Sequence, residues 1–94
     1  MTIQGMQLDI LQTLVDIQTA TSLDEIEDVQ IAEEIDLDLN MVRSSLDSLA
    51  VDGYVQLDKV ETLGGMAYTA FATDKGRTVL NESQGRVSER LKNL

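Results

Sequence analysis

The side chains best suited to chemistry in this sequence are carboxylates, several of which cluster between residues 36 and 47. Asp36, Asp38 and Asn40 alternate as the first oxygen ligands of a calcium-binding loop do, and Asp47 occupies the twelfth position of that pattern. Such a loop needs glycine at its sixth position and a bidentate glutamate at its twelfth, whereas this chain has Met41 and Asp47 there. The segment is therefore interpreted as an acidic turn before a helix, and no metal site is predicted.

Two residue types that catalysis commonly uses are missing from the sequence. The 94 residues include no histidine and no cysteine, so the chain lacks a neutral-pH proton shuttle and a thiol nucleophile. It also lacks the usual ligands of zinc, haem and iron–sulfur clusters. Gly64 and Gly65 stand in a predicted hairpin turn and do not form a phosphate-binding loop. We therefore expect neither an enzyme nor a bound cofactor.

The charges are unevenly distributed along the chain. The formal net charge is −10, from 17 acidic and 7 basic residues; the first 61 residues contribute −12 and the remainder +2. A field of this sign slows encounter with DNA and with anionic membranes, and it suits a basic protein partner. The apolar runs are only a few residues long and the first residues lack a signal-peptide pattern, which predicts a cytoplasmic protein without membrane association.

The length predicts one domain over residues 1–94, with a core at 6–81 and a helical extension at 82–94. Helical periodicity predicts three helices in the first half of the chain. The first spans residues 6–20, and the acidic stretch after it is a loop or a short strand. The second has Asp28 as its N-cap and the third runs from an N-cap at Asn40 to about residue 52. The residues predicted to face inward on the second and third helices are Ile31, Ala32, Ile35, Val42, Leu46 and Leu49.

The second half of the chain predicts a hairpin and a last helix. Two alternating segments, at 54–61 and 66–72, are predicted as strands joined by a turn at Gly64 and Gly65. Thr73 is the predicted N-cap of the last helix. In that helix Leu80, Val87 and Leu94 recur every seven residues, with Leu91 at an alternate seam position. Gly85 interrupts the repeat, so both a short coiled coil and a helix packed on its own domain remain open.

Three sequence segments carry a resemblance to a known family. They are IAEEI as a scaffold helix, VRSSLDSLAVDGYV as a recognition helix entering a first wing strand, and FATDKGRTVL as the exit into the last helix. Over about residues 6–81 the chain resembles winged helix-turn-helix transcriptional regulators of the MarR or PadR type. The resemblance implies an α+β, mostly α, winged helix-turn-helix fold and a DNA-binding regulator, dimeric through its first and last helices.

The resemblance also implies which side chains would meet DNA. The N-terminal half of the third helix would enter the major groove and place Asn40, Arg43, Ser44 and Asp47 nearest the bases. Arg43 could then read guanine and Asn40 adenine. The remaining candidates, which would contact phosphates, are Lys59 in the wing, Lys75 and Arg77. Ordinary surface roles are equally open, since Arg43 could instead neutralise Asp47 four residues along the same helix.

The wing departs from the family pattern, because Lys59 is its only basic residue and its tip, residues 62–66, has none. Leu63 and Met66 occupy the tip instead, as a loosely packed turn or as a contact for another protein. The candidate protein contacts are Leu63, Met66, Val87, Leu91 and Leu94. Two functions therefore follow from the sequence: a DNA-binding regulator that binds weakly and with salt sensitivity, or an acidic winged-helix module that binds a basic protein and no DNA.

Overall fold

A computed structural model describes residues 5–82 of the chain. The predictions on Val87, Leu91 and Leu94 lie outside the described residues, as does most of the predicted extension. The described elements are α1 (Met6–Thr21), β1 (Ile26–Glu27), α2 (Asp28–Ile35), α3 (Leu39–Val51), β2 (Val55–Thr62), β3 (Gly65–Ala72) and a helix α4 over residues 74–82. This element order is the predicted one, with the short strand β1 in the acidic stretch.

The core lies between the three N-terminal helices, the sheet and α4. In α1 the spacing of apolar residues places Ile10, Leu11 and Leu14 on one fully buried face. The predicted inward faces of the next two helices are also buried at Ile31, Val42, Leu46 and Leu49, while Ala32 and Ile35 are partly buried against the core. Because these side chains are aliphatic and contiguous, their burial is the main source of stability of the fold.

Two helix caps differ from the sequence prediction. The N-cap of α2 is Glu27, whose backbone N–H donates to Gln30 Oε1 at 3.1 Å, so Asp28 is already the first helical residue. The N-cap of α3 is Asp38 instead of Asn40; its carboxylate accepts the backbone N–H of Asn40 at 3.1 Å. In both cases the cap is an acidic residue one or two positions upstream of the predicted one. Its carboxylate can accept a backbone N–H of the first helical turn that would otherwise be unpaired.

The wing is a hairpin of β2 and β3, and β1 pairs with the other edge of β3, giving the order β1-β3-β2 with all pairs antiparallel. The prediction of Gly64 and Gly65 as the turn is wrong by one residue. Thr62 pairs with Gly65, so Leu63 and Gly64 form the two-residue loop, and Gly65 begins β3 with φ 121°. Only glycine adopts that backbone conformation without strain, which explains the glycine at position 65.

The segment from Thr73 to Gly76 packs the start of α4 against the junction between α3 and β2. Thr73 Oγ1 accepts the backbone N–H of Gly76 at 3.1 Å and donates to Gly53 O at 2.6 Å, which confirms Thr73 as an N-cap. A Cβ atom on Gly76 would lie 2.1 Å from the carbonyl oxygen of Tyr54. Thr73 and Gly76 of the segment FATDKGRTVL are therefore required by the fold itself, whether or not the chain binds DNA.

Candidate nucleic-acid interface

The outward face of α3 is the surface that a winged-helix protein would present to DNA. One side of α3 is buried against the core, and the opposite side is a stripe of exposed or half-exposed side chains: Asn40, Met41, Ser44, Asp47, Ser48 and Val51. Met41 and Val51 are 43% and 86% exposed. Three of the four predicted base-contacting residues, Asn40, Ser44 and Asp47, lie on this stripe, whereas Arg43 does not.

Arg43 is turned from the outward face toward α2 and the wing. Its Nε donates to Asp28 Oδ2 at 2.6 Å and its Nη2 donates to the carbonyl oxygen of Met66 at 2.6 Å. The guanidinium carbon also lies 4.9 Å from the centroid of the Tyr68 ring, within cation–π range. Of the two roles left open for Arg43, pairing with Asp47 is not observed, because the carboxylate of Asp28 in α2 holds the guanidinium instead.

Asp28 is the partner that the sequence could not indicate. Its side chain is only 1% exposed, and that of Arg43 is 26% exposed. The other carboxylate oxygen, Oδ1, accepts the backbone N–H of Val29 at 2.9 Å, so both oxygens have a donor. A buried carboxylate with this arrangement depends on its cation, since removing the cation would leave an uncompensated charge. We call the set Asp28, Arg43, Met66 O and Tyr68 the Arg43 clamp.

Lys59, the basic residue of the wing, is engaged as well. Its Nζ lies 3.1 Å from Asp47 Oδ1 and 5.0 Å from the Tyr68 ring centroid. The hydrogen bond to Asp47 is the main reason why the pKa of Lys59 is raised above its ordinary value of 10.5. The pair joins the middle of α3 to β2, and the positive charge of Lys59 is largely offset by Asp47.

Lys75 and Arg77, at the start of α4, do not join the outward face of α3. Lys75 Nζ donates to the carbonyl oxygen of Asp52 at 2.7 Å, where it opposes the negative C-terminal end of α3, and it lies 5.1 Å from the Tyr54 ring centroid. Arg77 is exposed beside a shallow cavity that the C-terminal end of α1 and the end of β3 form, with Gln18 and Phe71 in its lining. Within residues 5–82, Arg43, Lys59 and Lys75 are thus bound at the edges of α3 by oxygen atoms of the domain, and Arg77 lies elsewhere.

The tip of the wing is apolar and exposed. Leu63 is fully exposed and Met66 is 42% exposed, as the sequence suggested for a loose turn or a contact surface. Glu61, paired with Met66 across the hairpin, and Asp58 add negative charge along β2. A tip of this kind has little electrostatic attraction for phosphates.

The acidic turn before α3 has a structural role. The carboxylate of Asp38 caps the helix, and Asp36 adopts a left-handed conformation that ends α2. Within the part of the chain that the structure describes, no group of three or more carboxylate residues could hold a metal ion. Nor does this part contain a helix with the length and apolar character needed to cross a bilayer.

The sequence matches no protein-family model and no curated protein. The fold, in contrast, is similar to those of solved bacterial regulators. BpsR from Bordetella bronchiseptica, whose DNA binding is regulated by 6-hydroxynicotinic acid, superposes with a TM-score of 0.70 at 14% identity, over 97% of this chain and 59% of BpsR. A MarR mutant from E. coli, solved with operator DNA, gives a TM-score of 0.68 at 20% identity, over 96% of this chain and 59% of MarR.

FabT from Streptococcus pneumoniae, solved in complex with DNA, gives a TM-score of 0.60 at 20% identity, over 89% of this chain and 56% of FabT. The chain therefore has the winged helix-turn-helix fold found in MarR-type proteins, as the sequence resemblance implied. It spans less than two thirds of the length of these proteins.

Proposed function

We propose that this chain is a DNA-binding domain of a transcriptional regulator, cytoplasmic and without catalytic activity. The observation that supports this most directly is the outward face of α3. The side chains of Asn40, Ser44 and Ser48 project there in consecutive turns, next to the wing, and none of them has a hydrogen-bond partner among residues 5–82. Exposed polar side chains on a helix that enters a major groove can bond to base edges. The similarity to folds solved with DNA supports the same proposal.

The charge distribution limits the affinity of such binding and determines its salt dependence. Among residues 5–82, one protomer presents few free cations, and each phosphate contact adds both affinity and salt dependence. We therefore propose a homodimer through α1 and the last helix, since two copies would double the few contacts that one can make. The expected binding is weak and is confined to low ionic strength.

Fluorescence anisotropy of labelled duplex DNA at about 20 mM and about 150 mM salt tests this function, because the screening length shortens to about 8 Å at the higher value. Two variants carry the same added charge: Ser44→Glu on the outward face of α3 and Leu23→Glu in the exposed loop between α1 and β1. We expect binding at low salt that Ser44→Glu weakens at least about tenfold and Leu23→Glu leaves nearly unchanged. Equal effects of both variants, or no binding by a folded sample at low salt, would reject the proposal.

A second function is favoured by a specific observation, the engagement of Arg43, Lys59 and Lys75 with oxygen atoms of the domain itself. With these cations satisfied, an acidic surface with an apolar wing tip suits a basic protein partner better than a polyanion. The titration above separates the two functions: a folded protein that binds no DNA at low salt is the outcome this alternative predicts. Leu63→Ser should then weaken binding to the partner once that partner is identified.

A further inference from the structure

The N-terminal half of the outward face of α3 has no charged group free to read guanine. The exposed side chains of its first two turns are Asn40, Met41 and Ser44. Asp47, one turn further, is bound to Lys59 at 3.1 Å. Any base reading by these turns must therefore use an amide, a thioether-bearing apolar chain and a hydroxyl.

Arg43 is held away from this face. Its side chain makes two hydrogen bonds of 2.6 Å, one of them to a carboxylate that is 1% exposed. Turning the guanidinium toward DNA would leave the buried Asp28 carboxylate without its cation and the carbonyl oxygen of Met66 without its donor. A contact with guanine would therefore be made only by giving up both hydrogen bonds and the buried ion pair.

The bases present different hydrogen-bonding and apolar groups in the major groove. Guanine presents two acceptors that arginine or lysine reads, adenine presents a donor and an acceptor that asparagine reads, and thymine presents a methyl group that apolar side chains contact. Serine bonds to several bases and discriminates little. We infer that this domain selects A·T base pairs in the major groove, with Asn40 on adenine and Met41 on a thymine methyl group. The inference rests on the proposed DNA-binding function and deepens it.

The decisive experiment uses the full chain and duplexes that differ only in their central base pairs. At about 20 mM salt, A·T-centred duplexes should bind about tenfold more tightly than G·C-centred ones of equal length. Replacing the central adenines by 7-deazaadenine removes only the N7 acceptor, and replacing thymine by uracil removes only the methyl group. Each replacement should lower the affinity severalfold, because both groups lie in the major groove.

Three variants assign the reading to residues. Asn40→Ala should abolish the sensitivity to 7-deazaadenine, and Met41→Ala the sensitivity to uracil. Val51→Ala is the matched control: it truncates an exposed apolar side chain on the same helix, about 15 Å further along at about 1.5 Å per residue, and should leave both sensitivities intact.

The outcomes separate this inference from the function it rests on. Binding with equal affinity for both duplex types, or preference for G·C, overturns the inference and leaves DNA binding standing. An A·T preference that persists in Asn40→Ala and Met41→Ala also overturns it, because the preference would then come from DNA shape or the minor groove. Absence of binding to every duplex by a folded sample rejects the proposed function itself.

Discussion

At the scale of single residues, Arg43 shows how one side chain can fit a functional motif and serve the fold. The sequence resemblance predicted that it would read guanine from the third helix. In the structure it joins three elements, through Asp28 of α2, its own position in α3 and Met66 of β3. Arginine suits this role because its planar guanidinium donates in two directions at once, which a lysine ammonium on a flexible chain does less well.

Removing Arg43 should therefore destabilise the domain. We expect Arg43→Ala to lower the free energy of unfolding by about 2 kcal/mol, because a buried carboxylate loses its cation while the partly exposed site still admits water. Urea denaturation followed by circular dichroism measures the change. Arg77→Ala, which removes an exposed arginine from another side of the domain, serves as the control and should change stability by less than about 0.5 kcal/mol. Similar values for the two variants would contradict the structural role of the clamp.

Gly76 illustrates a backbone approach that permits no side chain. A Cβ atom there would meet Tyr54 O at 2.1 Å, so the start of α4 would have to move away from the α3–β2 junction. We expect Gly76→Ala to cost about 2 kcal/mol or more, despite the better helix propensity of alanine. Thermal denaturation of this variant tests the expectation, and Gly64→Ala, at a loop position whose nearest added contact is 4.0 Å away, is the control. A stable Gly76→Ala protein would mean that α4 tolerates the shift.

At the scale of elements, the position of the wing depends on polar contacts with α3 as well as on the hydrophobic core. The Lys59–Asp47 pair joins β2 to α3, and the Arg43 clamp joins β3 to α2 and α3. Tyr68 of β3 lies within 5.0 Å of both cations. The wing orientation is consequently coupled to the helix-turn-helix through Arg43 and Lys59, whose charges are not free to meet phosphates.

The Lys59–Asp47 pair should respond to pH in a defined direction. The pKa of Lys59 is raised in the folded state, mainly by the hydrogen bond to Asp47. The stability that the pair contributes is thus fully present below the ordinary lysine pKa of 10.5 and is lost as pH rises through the higher pKa of the folded state. The stability difference between the natural chain and Lys59→Met should be constant near neutral pH and shrink as pH rises through the folded pKa of Lys59. Urea denaturation at each pH measures it.

A second background keeps that test specific to the pair. In an Asp47→Asn protein, Lys59→Met should have a smaller effect at neutral pH and a weaker change at alkaline pH, because the hydrogen-bonded carboxylate is already gone. An unchanged pH response in Asp47→Asn would show that Asp47 is not the cause.

At the scale of the whole molecule, the charge of −10 opposes both folding and encounter with polyanions. Exposed acids such as Glu33 and Glu34 lie on α2, and the nearby groove between α1 and α2 has Asp16 in its lining as well. Self-repulsion of this kind is long-range and is weakened by salt, whereas the apolar core is not.

Salt should therefore raise the stability of the folded domain while it weakens any binding to DNA. We expect the thermal midpoint to rise by several degrees between about 20 mM and about 150 mM sodium chloride, as screening of the net charge increases. The double variant Glu33→Gln, Glu34→Gln should show a smaller rise because it removes two of the repelling charges. A fall in the midpoint with salt would show that attractive pairs, not repulsion, dominate the electrostatics.

The parts of the fold that depend on short stretches of chain were predictable from sequence. The apolar spacing in α1 and α3, the alternation in the wing and the cap at Thr73 involve residues within about four positions of one another, so their patterns are visible in one dimension. The caps of α2 and α3 and the hairpin loop were displaced by one or two residues, since neighbouring acidic or glycine residues compete for the same positions at little cost.

The composition of the candidate DNA surface was decided only by the tertiary structure. The sequence by itself determined the winged helix-turn-helix fold, the aliphatic core and the excess of negative charge. It did not determine the partner of each basic side chain, because these partners are distant in sequence. Arg43 bonds to Asp28 and Met66 across 15 and 23 positions, and Lys75 bonds to Asp52 across 23. Which partner a charged side chain finds depends on how the helices and wing pack, and the apolar core brings those elements together before any single charge pair can form between them.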